Sequence, residues 1–207
     1  MKTELLKLRD NIVVVTKNHS AEEIRRLYDM GFRVFGENRM QELKQKLNND
    51  MTDMHWHFIG HLQTNKVRDA VRCCEMIQSV DSEKLLLTIN REAEKQGKVT
   101  DVLLQVNIAE EETKYGFRYD EAEDIVCKYS DLSNVRIRGI MVIGPHTDDR
   151  KRITEVFHKG KALFDKLESN CHDVKYLSMG MSSDYEIALE EGSNMLRLGR
   201  IMFDDEF

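Results

Sequence analysis

Apolar residues fall along this chain in short runs separated by amphipathic stretches. The sharpest run is Asn11-Ile12-Val13-Val14-Val15-Thr16-Lys17, in which β-branched residues follow one another and then give way to a cation. A run apolar at every position reads as a strand buried on both faces, as in a parallel sheet. Ser20 and Glu23 form a capping box for the next segment, with Ile24, Leu27 and Tyr28 as its apolar stripe and Gly31 as its stop. Strand and helix then alternate to the end of the chain.

The later strands are read at Phe32 to Phe35, His57 to Ile59, Met76 to Val80, Val102 to Ile108, Ile137 to Ile143, Lys175 to Leu177 and Met195 to Leu198. The helices between them are read at Met40 to Leu47, Lys66 to Val71, Ser82 to Gln96, Asp120 to Tyr129, Arg150 to Leu167 and Ser183 to Glu190. Strict alternation with right-handed crossovers closes most economically as an α/β (β/α)8 barrel. An open doubly wound sheet is the alternative, but no strand is followed by a G-x-G-x-x-G or Walker-type loop. Ile201 to Phe207 is too short for a full last helix, and Met1 to Asp10 forms at most a shortened helix.

Composition narrows this further. A length of 207 residues suits one barrel domain spanning 1–207, with no Gly/Ser-rich linker. Hydrophobic residues at 41% and charged residues at 33% mark a globular chain with a sizeable core. A net charge of -6 argues against a sequence-independent nucleic-acid binder. No run approaches the roughly 18 apolar residues of a membrane span, and the charged start is unlike a secretion signal, so a cytoplasmic protein is expected; a monomer is the expected state. Cys73, Cys74, Cys127 and Cys171 lack C-x-x-C spacing and read as reduced thiols.

A barrel of this type carries its site at the carboxyl ends of its strands. Those positions hold Lys17, Asn38, Gly60-His61, Asp81, Asn107, Gly144-Pro145-His146, Ser178-Met179-Gly180 and Arg197-Leu198-Gly199. Asn, Asp, Gly and Ser are ordinary turn residues, which leaves the lysine and the arginine to be explained. Ser178 to Asp184 runs into a helix start, and Gly199-Arg200 follows the last strand. Loops after strands seven and eight are the usual phosphate site of barrels, although Ser182 or Ser183 can equally be a helix cap. A phosphate site opposite Lys17 suggests an aldehyde cofactor bound as a Schiff base, and pyridoxal phosphate has both handles. Arg197, pointing inward from the final strand, can sit beside the pyridine nitrogen, where a cation keeps that nitrogen unprotonated, or can equally form a salt bridge at the barrel rim.

The motifs Val15-Thr16-Lys17, Phe35-Gly36-Glu37-Asn38, Trp56-His57-Phe58-Ile59-Gly60, Leu62-Gln63-Thr64-Asn65-Lys66, Ser79-Val80-Asp81, Gln105-Val106-Asn107, Lys114-Tyr115-Gly116, Arg138-Gly139-Ile140-Met141, Leu177 to Ser182 and Arg197-Leu198-Gly199 occur in this order. Together they resemble the YggS/PROSC family of pyridoxal-phosphate homeostasis proteins across nearly the whole chain. The resemblance implies a barrel like the amino-terminal domain of alanine racemase. It also implies a role in holding the cofactor and delivering it to apo-enzymes, without established turnover. It implies pyridoxal phosphate on Lys17, Asn38 and His57 near the ring, and Ser178, Met179, Gly180 and Ser182 at the phosphate. Arg197 would face the pyridine nitrogen, with Gly199 and Arg200 closing the phosphate cup. Arg39, His61 and Arg200 depart from the family's frequent tyrosine, proline and threonine.

Three other functions compete. A racemase-like enzyme of low activity on this barrel needs a second acid/base, which the racemase relatives take from a separate β-domain that this sequence lacks. A metal-dependent hydrolase is suggested by His55-Trp56-His57, with His61, Asp81 and His146 as further ligands, but core packing explains that pair as well. An interaction module would use the short clusters Lys66-Val67-Arg68 and Arg150-Lys151-Arg152, which suit solvated helix faces in an acidic chain.

Overall fold

The computed structural model describes residues 2–47, 50–111 and 114–204. Met1 and the tail residues 205–207 lie outside the described residues. The strands are β1 (Ile12–Val15), β2 (Val34–Glu37), β3 (His55–Phe58), β4 (Met76–Val80), β5 (Thr100–Val106), β6 (Val135–Val142), β7 (Tyr176–Ser178) and β8 (Leu196–Leu198). The helices are α1 (Lys2–Lys7), α2 (Ala21–Asp29), α3 (Met40–Lys46), α4 (Val67–Cys73), α5 (Glu83–Lys95), α6 (Ala122–Lys128), α7 (Arg150–Asn170), α8 (Tyr185–Glu190) and the single turn α9 (Arg200–Phe203).

All strand pairs are parallel, and the 8-stranded sheet runs β7-β6-β5-β4-β3-β2-β1-β8. A bridge between Ser178 and Met195, with the Met179 N–H donating 3.1 Å to the Met195 carbonyl, brings β7 back to β8. The chain is therefore a single α/β unit whose strands nearly close into a barrel. Each sequence segment read as a strand overlaps one, but the bounds move. Phe32 is buried before β2 begins, and β2 runs on through Gly36 and Glu37.

Two apolar layers hold the barrel. The outer layer lies between strands and helices and includes Ile24, Leu27, Phe32, Phe35, Phe58, Leu86 and Phe157. The Ser20–Glu23 box forms as expected, each side chain accepting from the other's backbone N–H at 3.2 and 2.7 Å. It starts α2 so that Ile24 and Leu27 face the sheet. The inner layer is a plug of Val13, Met76, Leu103, Met141 and Met195 inside the barrel. A filled interior means that ligands meet only the rim. Strand crowding is tight where β6 meets β7: a Cβ on Gly139, at φ 147, would lie 1.9 Å from the Tyr176 carbonyl oxygen. Only glycine fits there.

Candidate cofactor site

Side chains alternate between the two layers along each strand, so the plug fixes which residues point inward. On β1 the plug residue is Val13; the same alternation assigns Val15 and then Lys17 to the inward side at the mouth. Lys17 is exposed just beyond the strand and, among the described residues, has no hydrogen-bond or ion-pair partner. Asn18 after it takes the left-handed conformation at φ 65 and turns the chain sharply. Next to β1 lies β8, with Val13 in register with Arg197. At the rim Val15 faces Gly199, a Cβ on which would sit 3.5 Å from the Val15 Cβ.

The phosphate-type loops meet each other. The Gly199 N–H donates to Ser182 Oγ at 3.2 Å, bridging the loops after β7 and β8. Arg200 projects into solvent at the start of α9. A cleft of about 650 Å³ opens beside them, lined among others by Ile143, His146, Met181, Ser183, Asp184 and Arg200. Asp184 accepts from the Met181 N–H at 2.5 Å, and its burial pushes the carboxyl above the usual range. The last turn is tied back to the lysine loop by His19, whose ring stacks on Phe203 at 3.6 Å.

Beneath the mouth a chain of polar side chains crosses the barrel. Arg197 donates through Nη1 to Ser178 Oγ at 2.7 Å and through Nη2 to the Val142 carbonyl at 2.9 Å. Ser178 donates in turn to Gln78 Oε1 at 2.7 Å, and Gln78 Nε2 lies 2.8 Å from His57 Nδ1. Burial lowers the His57 pKa to about 3, so the ring is neutral and Nδ1 accepts. Burial also lowers Arg197, to about 10, against the nearby Asp184, which leaves it cationic at neutral pH. The result is a fixed cation on a satisfied network, only 4% exposed.

The family model of the alanine racemase N-terminal domain matches residues 2–206. The pyridoxal phosphate homeostasis protein of Helicobacter pylori is 40% identical over 197 residues, spanning 94% of this chain and 87% of the relative. Its Aquifex aeolicus counterpart is 37% identical over 193 residues, spanning 92% and 84%. The chain belongs to the pyridoxal phosphate homeostasis protein family. PipY of Synechococcus elongatus, solved without PLP, superposes with a TM-score of 0.90 at 34% identity over 97% of this chain and 98% of PipY. The PLP-bound form of PipY gives 0.86 at 33% identity, with the same coverage. An alanine racemase of Clostridium difficile, 15% identical with a TM-score of 0.76, shares the fold over 97% of this chain and 55% of its own.

Within this homeostasis-family barrel the residues singled out by sequence fall into two groups. Lys17, Asn38, Ser182, Gly199 and Arg200 gather at the rim, with the Gly180 turn beneath them. Asn38 Oδ1 is buried there without a partner among the described residues, and a Cβ on Gly60 would lie 2.2 Å from the Asn38 carbonyl oxygen. Arg197 and His57 lie lower, inside the network. Two residues assigned to the phosphate lie away from the rim. Ser178 ends β7 rather than following it, so its side chain is inside the barrel and its hydroxyl is already engaged by Arg197 and Gln78. Met179 is fully buried on the opposite side in the outer layer, and its N–H is taken by Met195.

The two histidines of the H-x-H pair do not converge: His55 pairs with Glu75 at the far end of β3, and His57 meets Gln78. Among the described residues no group of three or more His, Cys, Asp or Glu side chains could hold a metal ion. The described cysteines are free thiols. No helix among the described residues is long and apolar enough to cross a membrane.

Inspection of strand ends passes over Gln78, Glu37 and Lys46. Gln78 interrupts the buried run Met76 to Val80, and a polar residue inside such a strand signals a required partner. Glu37 and Lys46 carry a similar signal once β2 is seen to include Glu37.

Proposed function

We propose that this protein binds pyridoxal 5'-phosphate at the barrel mouth as a Schiff base on Lys17 and holds it for delivery, with no robust turnover of its own. The observation that carries this is an exposed, partnerless lysine beside a rim of anion-binding groups and above a buried arginine. An aldehyde is the chemistry the cofactor supplies, and a free primary amine is what captures it. The donor set fits the other end: the Ser182 hydroxyl, which accepts the Gly199 N–H and keeps its own O–H to donate, and the Arg200 guanidinium suit a phosphate ester. Asn38 Oδ1 remains as an acceptor for a polar group on the ring.

Arg197 supports holding over turnover. A permanent cation facing the pyridine nitrogen keeps it unprotonated and weakens the ring as an electron sink. Its position is set by Ser178 and the Val142 carbonyl, which leaves little freedom to adjust. PipY, the relative solved with PLP bound, supports the same ligand.

The test is borohydride trapping followed by peptide mapping. Incubation with pyridoxal 5'-phosphate is expected to label Lys17. Lys17→Ala is expected to lose the label with stability unchanged within about 0.5 kcal/mol, because an exposed side chain contributes little. A reducible adduct that persists at this mouth in Lys17→Ala overturns the assignment.

A further inference from the structure

Behind the strand that presents Lys17 lies a buried ion pair that the cofactor chemistry does not itself require. Glu37, at the end of β2, has no exposed surface, and Lys46, in the last turn of α3, keeps 10%. Lys46 Nζ donates to Glu37 Oε1 at 2.5 Å and to the Thr16 carbonyl at 2.7 Å. Thr16 donates through Oγ1 to the same carboxylate oxygen at 2.8 Å. The second oxygen accepts the Asn38 N–H at 2.8 Å. Every group is satisfied, which is the condition for a buried pair to persist.

These bonds converge on Lys17 from both sides along the chain. Lys46 holds the carbonyl of Thr16, the peptide unit that leads into Lys17. Glu42, one turn earlier on α3 and 3.6 Å from Lys46, accepts the N–H of Asn18, the residue after Lys17, at 3.4 Å. The backbone is thus gripped before and after Lys17 while the Lys17 amine stays without a partner. Thr16 and Glu37 point to the outer layer and Lys17 to the mouth, so the grip acts from behind. Holding a nucleophile's attachment while leaving its reactive atom free is how proximity raises an effective concentration.

We propose that Lys46, acting through Glu37 and the Thr16 carbonyl, is a positioning residue for covalent capture by Lys17. It rests on the Schiff-base reading above. In that capture the Nζ lone pair of Lys17 forms a bond to the aldehyde carbon, and the carbonyl oxygen leaves as water with two protons from the amine. No electron acceptor is involved. Lys46 takes no proton in this step; it fixes where the amine starts.

A helix-to-sheet clamp with a purely structural role would affect all ligands of the mouth equally. The test therefore compares pyridoxal 5'-phosphate with pyridoxine 5'-phosphate, an alcohol that cannot bond to an amine, on the full chain. Lys46→Met leaves Glu37 buried without its counter-ion, so the double variant Glu37→Gln/Lys46→Met, which removes both charges, is measured beside it. In both, affinity for the aldehyde is expected to fall by about tenfold or more while affinity for the alcohol changes by less than about twofold. Equal losses for both ligands overturn the inference in favour of a structural role. Full retention of aldehyde affinity overturns it as well. If the unmodified chain forms no reducible adduct at Lys17, the Schiff-base reading fails first and takes this inference with it.

Discussion

Lys17 and Arg197 sit on neighbouring strands of one barrel, and the structure treats them in opposite ways. Arg197 is buried, with both terminal nitrogens donating to fixed acceptors. Lys17 is exposed, and its amine has no partner among the described residues. A guanidinium is planar, permanently charged and suited to a fixed fork of acceptors, whereas an ammonium can lose its proton and become a nucleophile. The contrast separates two jobs. One cation is a fixed charge beneath the mouth, and the other is left without a partner, as the Schiff-base role proposed for Lys17 requires.

Exchanging the chemistry at the buried position tests that division most severely. Arg197→Lys replaces a planar fork of two donating nitrogens by a single nitrogen on a differently shaped side chain, so a loss of about 3 kcal/mol in urea unfolding is expected, with no new labelled lysine after borohydride. A second reducible adduct at position 197 would break the comparison, because accessibility alone would then distinguish the two sites.

Acidification probes the far end of the same network. His57 has its pKa lowered from 6.5 to about 3 by burial. Between those values the unfolded chain binds a proton that the folded chain does not, so stability falls as pH falls through this window. The expected contribution is up to about 1.4 kcal/mol per pH unit, absent above it. Unfolding at pH 7 and pH 5 should show this slope, and His57→Gln should flatten it. An unchanged slope in that variant would remove His57 from the buried network.

The smallest effect is expected at the rim. Ser182→Ala removes one hydroxyl beside the Gly199 N–H, and affinity for pyridoxine 5'-phosphate should drop by about threefold to tenfold with the fold unchanged. No change would move the phosphate away from these two loops.

Much of this was legible because parallel strands buried on both faces announce themselves as apolar runs. Ile12 to Val15 and Met76 to Val80 could be placed to within a residue, and the short turn after β8 followed from the length left for it. What could not be read was the pleat. Reading β7 as ending at Leu177 leaves Ser178 in a loop, whereas one more strand residue turns its side chain into the barrel. The same kind of slip hid Glu37, because a strand read as Phe32 to Phe35 stops before it. Lys46 lies on a helix end where a lysine usually favours the helix dipole and solvent. Its burial depends on tertiary contacts with Thr16 and Glu37, distant in sequence, which no local pattern encodes.

The ring contact between His19 and Phe203 gives the order of synthesis a role. β1 finds its neighbour β8 only after the intervening strands exist, since Asn11 Nδ2 meets the Asn194 carbonyl across 183 positions of sequence. A chain still emerging from the ribosome carries Lys17 without Arg197 below it or Gly199 beside it. Assembly of the mouth around Lys17 therefore waits until the β8 segment has been made and has docked against β1.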